Sequence, residues 1–594
     1  MTTFEIKEDF MLNGEPFKIL SGAIHYFRVH PSDWYHSLYN LKALGFNTVE
    51  TYVPWNLHEG KEAEFYFEGF ANLEKFIQTV AELDLYVILR PTPYICAEWE
   101  FGGLPAWLLQ KDCKIRSSDP KFLAYVRRYY EALMAKVVPL QFTHGGPILM
   151  MQIENEYGSY GEDKAYLKAI KELMEELGVD VPLFTSDGSW LATLRAGSMI
   201  EEGVLPTGNF GSKGQQNFAE LKKFQEAHGK NWPLMCMEFW DGWFNRWAEP
   251  IVTRETDELV AALREVLELG SVNLYMFHGG TNFGFMNGCS ARGTLDLPQI
   301  TSYDYGAPLD EQGNPTEKYY AIQKMVKELF PNIQQKEPLV KPSLSVNQIP
   351  LTNKVSLFEV LDDISEKITT KYPKTMEEVG QAYGYMVYRT KVQKDAEEER
   401  YRIIDGRDRA KVYLNGEHIM TQYQEKIGED IFVQPPFAEN ELTILMENMG
   451  RVNYGHKLLA DTQRKGIRQG VMSDLHFILD WEQYALAFDQ PLTIDYTKAW
   501  QADQPAFYQY HFELTDLADT YIDLQAFGKG IVLVNGYHIG RFWRKGATQT
   551  LYVPKGFLNE GQNEIVIFET EGEYAATLDL VAAPIFDLKE KTLH

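Results

Sequence analysis

Cysteine is scarce, with Cys96, Cys113, Cys236 and Cys289 the whole complement of 594 residues. So few thiols in so long a chain exclude a disulfide framework as its source of stability. Basic residues are also in deficit: 57 Lys and Arg against 84 Asp and Glu give a formal net charge of -27. An acidic surface is repelled by nucleic acid and by anionic membranes, so neither is expected as a partner. No apolar run approaches the length of a membrane-spanning helix, roughly 20 residues. The opening stretch MTTFEIKEDFMLNGEPF places acidic residues where a signal peptide needs a basic segment and an unbroken apolar one. The expectation is a cytoplasmic protein, with the cell surface, reached by a non-standard route, as the alternative.

What is present is an ordinary globular composition, 45% hydrophobic and 24% charged, in a chain long enough for three or four domains. From about residue 17 to 280 one unit recurs: a short apolar run, polar residues at its end, then an amphipathic helical stretch. That alternation marks parallel βα units. Strands are expected at 18–25, 48–55, 86–91, 148–154, 183–187, 207–210, 234–239 and 274–278. Between them, stretches such as DPKFLAYVRRYYEALMAKVV carry apolar residues at three- and four-residue spacing, as crossover helices do. Eight such units over about 300 residues predict an α/β fold of the (β/α)8 TIM-barrel type.

The barrel domain is expected over 1–335, followed by a proline-bearing linker at 336–350. Beyond it the sequence is strand-like and duplicated. KVYLNGEHI around Asn415-Gly416 matches IVLVNGYHI around Asn535-Gly536, and NELTILMEN matches NEIVIFETE. Asn-Gly between apolar β-formers marks a tight hairpin. Two tandem all-β sandwich domains of the jelly-roll kind follow, at 351–490 and 491–594.

Barrel enzymes carry their chemistry at the C-terminal ends of the strands, where the βα loops form one concave face. The fourth expected strand ends in Glu154-Asn155-Glu156-Tyr157 and the seventh in Glu238-Phe239-Trp240. Strand alternation would set Glu154 and Glu156 on one face, with Glu154 deeper and Glu156 at the mouth. A pair of carboxyl groups facing one glycosidic bond is the machinery of its hydrolysis, and their separation selects retention or inversion. A glutamate at a strand end is as readily a salt-bridge partner, so these two residues alone do not decide the matter.

The thirteen residues GGPILMMQIENEY (145–157) resemble the signature of glycoside hydrolase family 35, the β-galactosidases. Similar matches are ETYVPWNLHE (50–59), RPTPYICAEWEFGGLPAWL (90–108), MEFWDGWFN (237–245), YMFHGGTNFGFMNG (275–288), TSYDYGAPLDE (301–311) and ENMGRVNYG (447–455). The resemblance implies a retaining mechanism with Glu156 as acid/base and Glu238 as nucleophile. It further implies that Tyr52, Cys96, Ala97, Glu98, Asn155 and Tyr305 line a galactose pocket, with Tyr305 also hydrogen-bonding Glu238. Gly306 departs from the family, where Asp often follows Tyr-Asp-Tyr, and is expected to loosen the loop holding Tyr305. The compact bacterial members that the chain resembles favour β-1,3-linked galactose on N-acetylglucosamine.

Of the tryptophans that follow Glu238, Trp240 and Trp243 are expected to form an aromatic wall for the acceptor sugar, joined by Tyr454 from the first β domain. Cys96 near His25 and His58 lacks a Cys/His catalytic signature, and His25, His58, His144 and His278 lack zinc-ligand spacing. No cofactor or metal is expected. The partner is a galactoside, oligosaccharide or glycan, and the duplicated β domains offer surfaces for a homodimer. Two other readings stand beside an exo-acting β-galactosidase. One is a glycosidase of different sugar specificity on the same barrel. The other is a carbohydrate-binding protein with an inert barrel.

Overall fold

The structure is a computed structural model and describes residues 2–589 and 591–593. Eight parallel strands close into a barrel: β1 (Leu20–Ile24), β2 (Thr48–Tyr52), β3 (Tyr86–Arg90), β4 (Ile148–Gln152), β5 (Leu183–Asp187), β6 (Leu205–Asn209), β7 (Met235–Trp240) and β8 (Ser271–His278). Neighbours in the barrel follow chain order, and Val272 of β8 opposite Leu20 of β1 closes it. Each expected strand is found within a few residues. The sixth begins earlier than its composition suggests, because Pro206 is accommodated opposite Thr185 of β5.

The helices between the strands are α1 (Trp34–Leu44), α2 (Leu73–Glu82), α3 (Pro120–Val137), α4 (Lys164–Glu176), α5 (Leu191–Gly197), α6 (Gly214–Ala227) and α7 (Thr256–Leu269), and α8 (Glu317–Leu329) follows β8. α3 shows why they form. Asp119 caps it by accepting from the Lys121 N–H, Pro120 fills its first position, and Phe122, Val126, Tyr129, Tyr130, Leu133, Met134 and Val137 make one buried stripe.

The barrel interior is apolar below and polar above. Ile88, Met150, Phe184, Met235 and Met237 fill its lower layer, and an N-terminal three-stranded sheet seals that end with Phe4 and Phe10. Above them Glu50, Arg90, Gln152 and Glu238 point to the C-terminal face, all buried. The site therefore lies at the top, over a packed plug.

The β domains correct one expected boundary. The stretch taken as linker and domain start contains one long strand, Val346–Ser356, which pairs with Ala506–Leu514 and Thr577–Val581. Residues 346–356 thus belong to the sheet of the second β domain, and the first is inserted after them. Prolines at 342 and 350 suggest a connector, but the N–H that Pro350 lacks is tolerated beside the irregular pairing between Val346 and Ile349 of this strand.

The Asn-Gly repeat is structural down to its side chains. Asn415 and Gly416 (φ 51° and 82°) and Asn535 and Gly536 (φ 48° and 83°) turn matching hairpins. In each copy the Asn accepts from the next strand, from the Glu441 N–H and the Glu564 N–H, both at 2.8 Å, and donates at 2.9 Å to Asn440 or Asn563.

Buried charges join the three domains. Arg451 of the first β domain reaches Glu100 of the barrel at 2.9 Å and Glu377 of its own domain at 2.5 Å. Glu447 of the first β domain is paired with Lys529 (2.5 Å) and Arg541 (3.3 Å) of the second, and Arg541 donates to Asn287 of the barrel at 2.8 Å. Unpaired, such charges would be costly to bury, so their pairing fixes how the domains seat. The four cysteines are free, and among the described residues no helix is long and apolar enough to cross a membrane.

Candidate active site

A cavity of about 460 Å³ opens at the C-terminal face of the barrel, lined by Glu156 and Glu238 together with Tyr52, Asn155 and Tyr305. Cys96, Ala97 and Glu98 form another wall, and Trp240, Trp243 and Tyr454 stand at its rim. Every site residue singled out in the sequence thus meets in one place.

Glu238, on β7, is tightly held. Its Oε1 accepts from the Tyr52 hydroxyl at 2.5 Å and lies 2.8 Å from Nη1 of Arg90, while Oε2 accepts from the Trp240 indole N–H at 3.1 Å. The phenol that bonds Glu238 is thus that of Tyr52 and not, as expected, that of Tyr305. Arg90 ends β3 and is fully buried. It donates to Gln152 (2.5 Å) and Asn155 (3.0 Å) and lies over the Tyr52 ring at 3.9 Å, while Glu50 sits 3.6 Å from its Nη1.

Glu154 and Glu156 do not share a face. Strand β4 ends at Gln152, and both glutamates adopt left-handed backbone, φ 49° and 45°. The turn sends Glu154 away, to Arg116 (2.9 and 3.3 Å) and the Tyr166 hydroxyl (2.6 Å). Glu156 is anchored through its N–H to the Ser186 carbonyl at 3.0 Å, and its carboxyl accepts from Asn209 at 2.8 Å. Burial, then the nearby charge of Glu238, push the Glu156 carboxyl up to about 7, and the Asn209 hydrogen bond opposes them.

The wall at 96–98 is strained. Cys96, Ala97 and Glu98 have φ of 56°, 51° and 48°, three successive non-glycine residues in the left-handed region. Each such residue costs of order 1–3 kcal/mol and persists only where its surroundings dictate it. Glu98 accepts from the Tyr303 hydroxyl, and burial pushes its carboxyl up to about 7. Burial also raises the Cys96 thiol, helped by the charges of Glu98 and Glu156, so it is not an activated thiolate. The histidine rings serve structure: His58 is engaged by Tyr26 (2.6 Å) and Tyr66 (2.8 Å), His278 by Ser37 (2.8 Å) and Glu311 (3.0 Å). His144 pairs with Asp180 at 3.0 Å, away from the cavity.

The Tyr305 loop is pinned rather than loosened. Tyr305 itself has φ 67°, its carbonyl accepts from the Trp243 N–H at 3.0 Å, and Gly306 is held by Asp304 (3.1 Å) and Lys318 (2.6 Å). Gly306 has φ 63°, a conformation that glycine adopts without strain.

At the rim Trp240 and Trp243 meet edge to face, centroids 5.8 Å apart, while Trp247 turns into the interdomain contact with Trp543. Tyr454 is 46% exposed and Trp190, in the loop after β5, is 56% exposed. The sequence reading missed Trp190, Arg90, Asn209, Tyr275 and Arg246, all of which shape or underlie the cavity. Arg90 and Asn209 were within reach, because each lies one residue before the end of an expected strand, where barrel side chains face the site.

A closed (β/α)8 barrel with two glutamates facing one cavity at its C-terminal end is the frame of a glycoside hydrolase. Residues 9–329 match the model of glycosyl hydrolases family 35, and residues 373–487 and 505–563 match the first all-beta domain and the galactose-binding domain of β-galactosidases. The chain belongs to glycosyl hydrolase family 35 and is an enzyme of the β-galactosidase type. It is 37% identical to beta-galactosidase 17 of Arabidopsis thaliana, over 96% of this chain and 88% of that one. It is 36% identical to the beta-galactosidase of Homo sapiens (96% and 87% covered) and 36% identical to that of Xanthomonas manihotis (92% and 90% covered).

The neighbouring glutamates should separate in a thermal scan. Glu154→Gln strands a buried Arg116 without its counter-charge and is expected to cost about 3–5 kcal/mol, read as an earlier unfolding transition. Glu156→Gln removes a carboxyl that burial disfavours, and its transition should stay at or above that of the unaltered protein. Equal transitions for the two variants would contradict this division.

Proposed function

We propose that the protein removes terminal, non-reducing β-galactose by double displacement, with Glu238 as nucleophile and Glu156 as acid/base. The observation that carries this reading is the unlike environment of two carboxyl groups on one cavity. Glu238 is matched to the Arg90 guanidinium, whereas the Glu156 carboxyl is pushed up to about 7 by burial and by Glu238. One is set to attack and the other to hold a proton.

In the first step a Glu238 oxygen attacks the anomeric carbon, the bond to the leaving oxygen breaks, and Glu156 gives that oxygen its proton. The product is a galactosyl ester of Glu238. In the second step Glu156 takes a proton from water, whose oxygen attacks the same carbon and releases Glu238. Two inversions leave the configuration retained. Glu98, Tyr52, Asn155 and Tyr305 read the hydroxyls of galactose, since fixed polar partners penalise a sugar lacking the matching group.

The acceptor lies against Trp243, Trp240 and Tyr454. The favoured bond is β-1,3 to N-acetylglucosamine, a reading supported by the likeness of the barrel motifs to compact bacterial family members. Product analysis on galactosyl disaccharides differing only in linkage tests it, and comparable rates on all linkages would overturn it. Trp243→Ala should slow disaccharides more than an aryl galactoside, and an equal effect on both would remove the acceptor role.

For the nucleophile, Glu238→Ala should lose nearly all turnover of an aryl β-galactoside. Azide should restore it with formation of the α-galactosyl azide, read by NMR. A β-configured azide would contradict the assignment.

The pH profile supplies a further check. The acid form of Glu156 is required, so kcat/KM should fall as pH rises through about 7. Asn209→Ala removes a hydrogen bond that holds this carboxyl down. The alkaline limb should therefore move to higher pH in that variant, and a limb that stays or moves down would argue against Glu156 as the titrating group.

A further inference from the structure

The wall at 96–98 depends on a residue that lines no part of the cavity. Arg28, in the loop after β1, is 1% exposed and forms no ion pair among the described residues. Its guanidinium has three separate anchors. Nη2 donates to the carbonyl of Ala97, the middle residue of the three left-handed ones. Nε donates to Asn282 at 2.8 Å, and Nη1 meets Nδ1 of His25 at 2.7 Å. Burial and the positive charges of Arg28 and Arg90 hold His25 well below its usual range, so its neutral ring can accept that bond.

The same guanidinium lies over the ring of Tyr303, its central carbon 3.7 Å from the centroid, and the Tyr303 hydroxyl bonds the Glu98 carboxyl. One planar cation therefore fixes the Glu98 backbone through the Ala97 carbonyl and its side chain through Tyr303. Asn282 extends the brace to the loop after β8, since it donates to the Ile300 carbonyl at 3.3 Å.

We propose that Arg28 is a positioning residue for galactose recognition, which holds the strained Cys96-Ala97-Glu98 turn and the Tyr303 ring so that Glu98 faces the sugar. This rests on the reading of Glu98 as a galactose contact. Two features argue that the arrangement serves recognition rather than packing alone. Left-handed non-glycine residues in succession are costly, and such strain gathers where a site needs one geometry. A guanidinium buried without a carboxylate in contact is also costly, and a neutral side chain could fill the same space. Both costs converge on the orientation of one carboxyl. Lysine would keep the charge of Arg28 but not its fork, so it could not serve the Ala97 carbonyl, Asn282 and His25 together.

A double-mutant cycle on kcat and KM for an aryl β-galactoside and its monodeoxy analogues tests this, each variant first being shown to melt as a folded protein. Arg28→Lys is expected to raise KM about tenfold with a smaller change in kcat, and to weaken discrimination against the deoxy sugar that Glu98 distinguishes. In a Glu98→Gln background the same change should add less than about twofold, because residues acting through one contact are not additive. Tyr303→Phe keeps the ring under Arg28 and loses the hydroxyl, and should raise KM in the same direction. If Arg28→Lys does not fold, Tyr303→Phe and Asn282→Ala carry the test, with non-additivity against Glu98→Gln again expected. Additive effects, or an unchanged KM in Arg28→Lys or Tyr303→Phe, would overturn the proposal. An unchanged KM and sugar discrimination in Glu98→Gln itself would remove Glu98 as a galactose contact and this proposal with it, while leaving the roles of Glu156 and Glu238 to stand on their own tests.

Discussion

The site is organised around one buried positive charge. Arg90 has no exposed surface, and a guanidinium taken out of water must find its partners in the protein. Burial alone would lower its affinity for its proton, but Tyr52, Glu238 and Glu50 outweigh that and raise it. Its fork is met because β4, the turn after it and β7 bring Gln152, Asn155 and Glu238 to the layer in which β3 ends, while the Tyr52 ring from β2 covers the guanidinium. The closed barrel does this, and the apolar plug beneath keeps water from competing. Glu50 lies 3.6 Å from the same Nη1 that meets Glu238, and burial pushes its carboxyl up to about 7, opposed by Arg90. Arg90 thus faces two carboxyl groups, of which Glu238 is the one that reaches the cavity.

Much of this was legible because barrel geometry converts sequence position into place. Strand ends point at the site, so the ends of the fourth and seventh runs had to carry the candidate carboxyls, and both do. What failed were inferences that needed backbone torsions. Strand alternation was extended through Glu154 and Glu156, but β4 had already stopped, and two left-handed residues reversed the expected neighbourhood. The Tyr305 bond to Glu238 failed similarly, since Tyr52, Tyr275, Tyr305 and Tyr454 all border the cavity and no local pattern tells which hydroxyl reaches the carboxylate. Residues 346–350 looked like a linker because their pairing partners, at 577–580, lie more than two hundred residues away.

The β domains matter to the site through position. ENMGRVNYG of the first β domain contains Arg451, buried against barrel Glu100, and Tyr454, exposed at the cavity rim. Asn453 between them also touches the site wall, since its amide lies 3.4 Å from the Cys96 sulfur and its carbonyl accepts from the Tyr94 hydroxyl at 2.5 Å. One short loop thus ties the rim to the barrel. The Glu447 contacts with Lys529 and Arg541 then hold the second β domain to the first. The rim is thus tied through buried charge pairs to all three domains, and for the proposed acceptor wall such preorganisation favours discrimination among acceptors over adaptation to all.

The charge arrangement also bears on how one residue can serve as acid and then as base. Burial and the negative charge of Glu238 together raise the Glu156 carboxyl. In the proposed cycle that charge is present while Glu156 must give up a proton, and absent once Glu238 is esterified. Removing it withdraws the larger of the two neighbouring charges that raise Glu156, that of Glu98 being the other, while the Asn209 hydrogen bond and the Arg90 charge continue to favour the ionised form. Glu156 then binds its proton less tightly at the moment a base is needed, and more tightly again when water frees Glu238. Arg90 is within electrostatic reach of the Glu50, Glu156 and Glu238 carboxyl groups. In the proposed cycle its charge is matched chiefly by Glu238 while that carboxylate is ionised, and by Glu50 and Glu156 once Glu238 is esterified. In that proposed cycle the switch in role follows from the chemistry at Glu238, with no rearrangement of the barrel required.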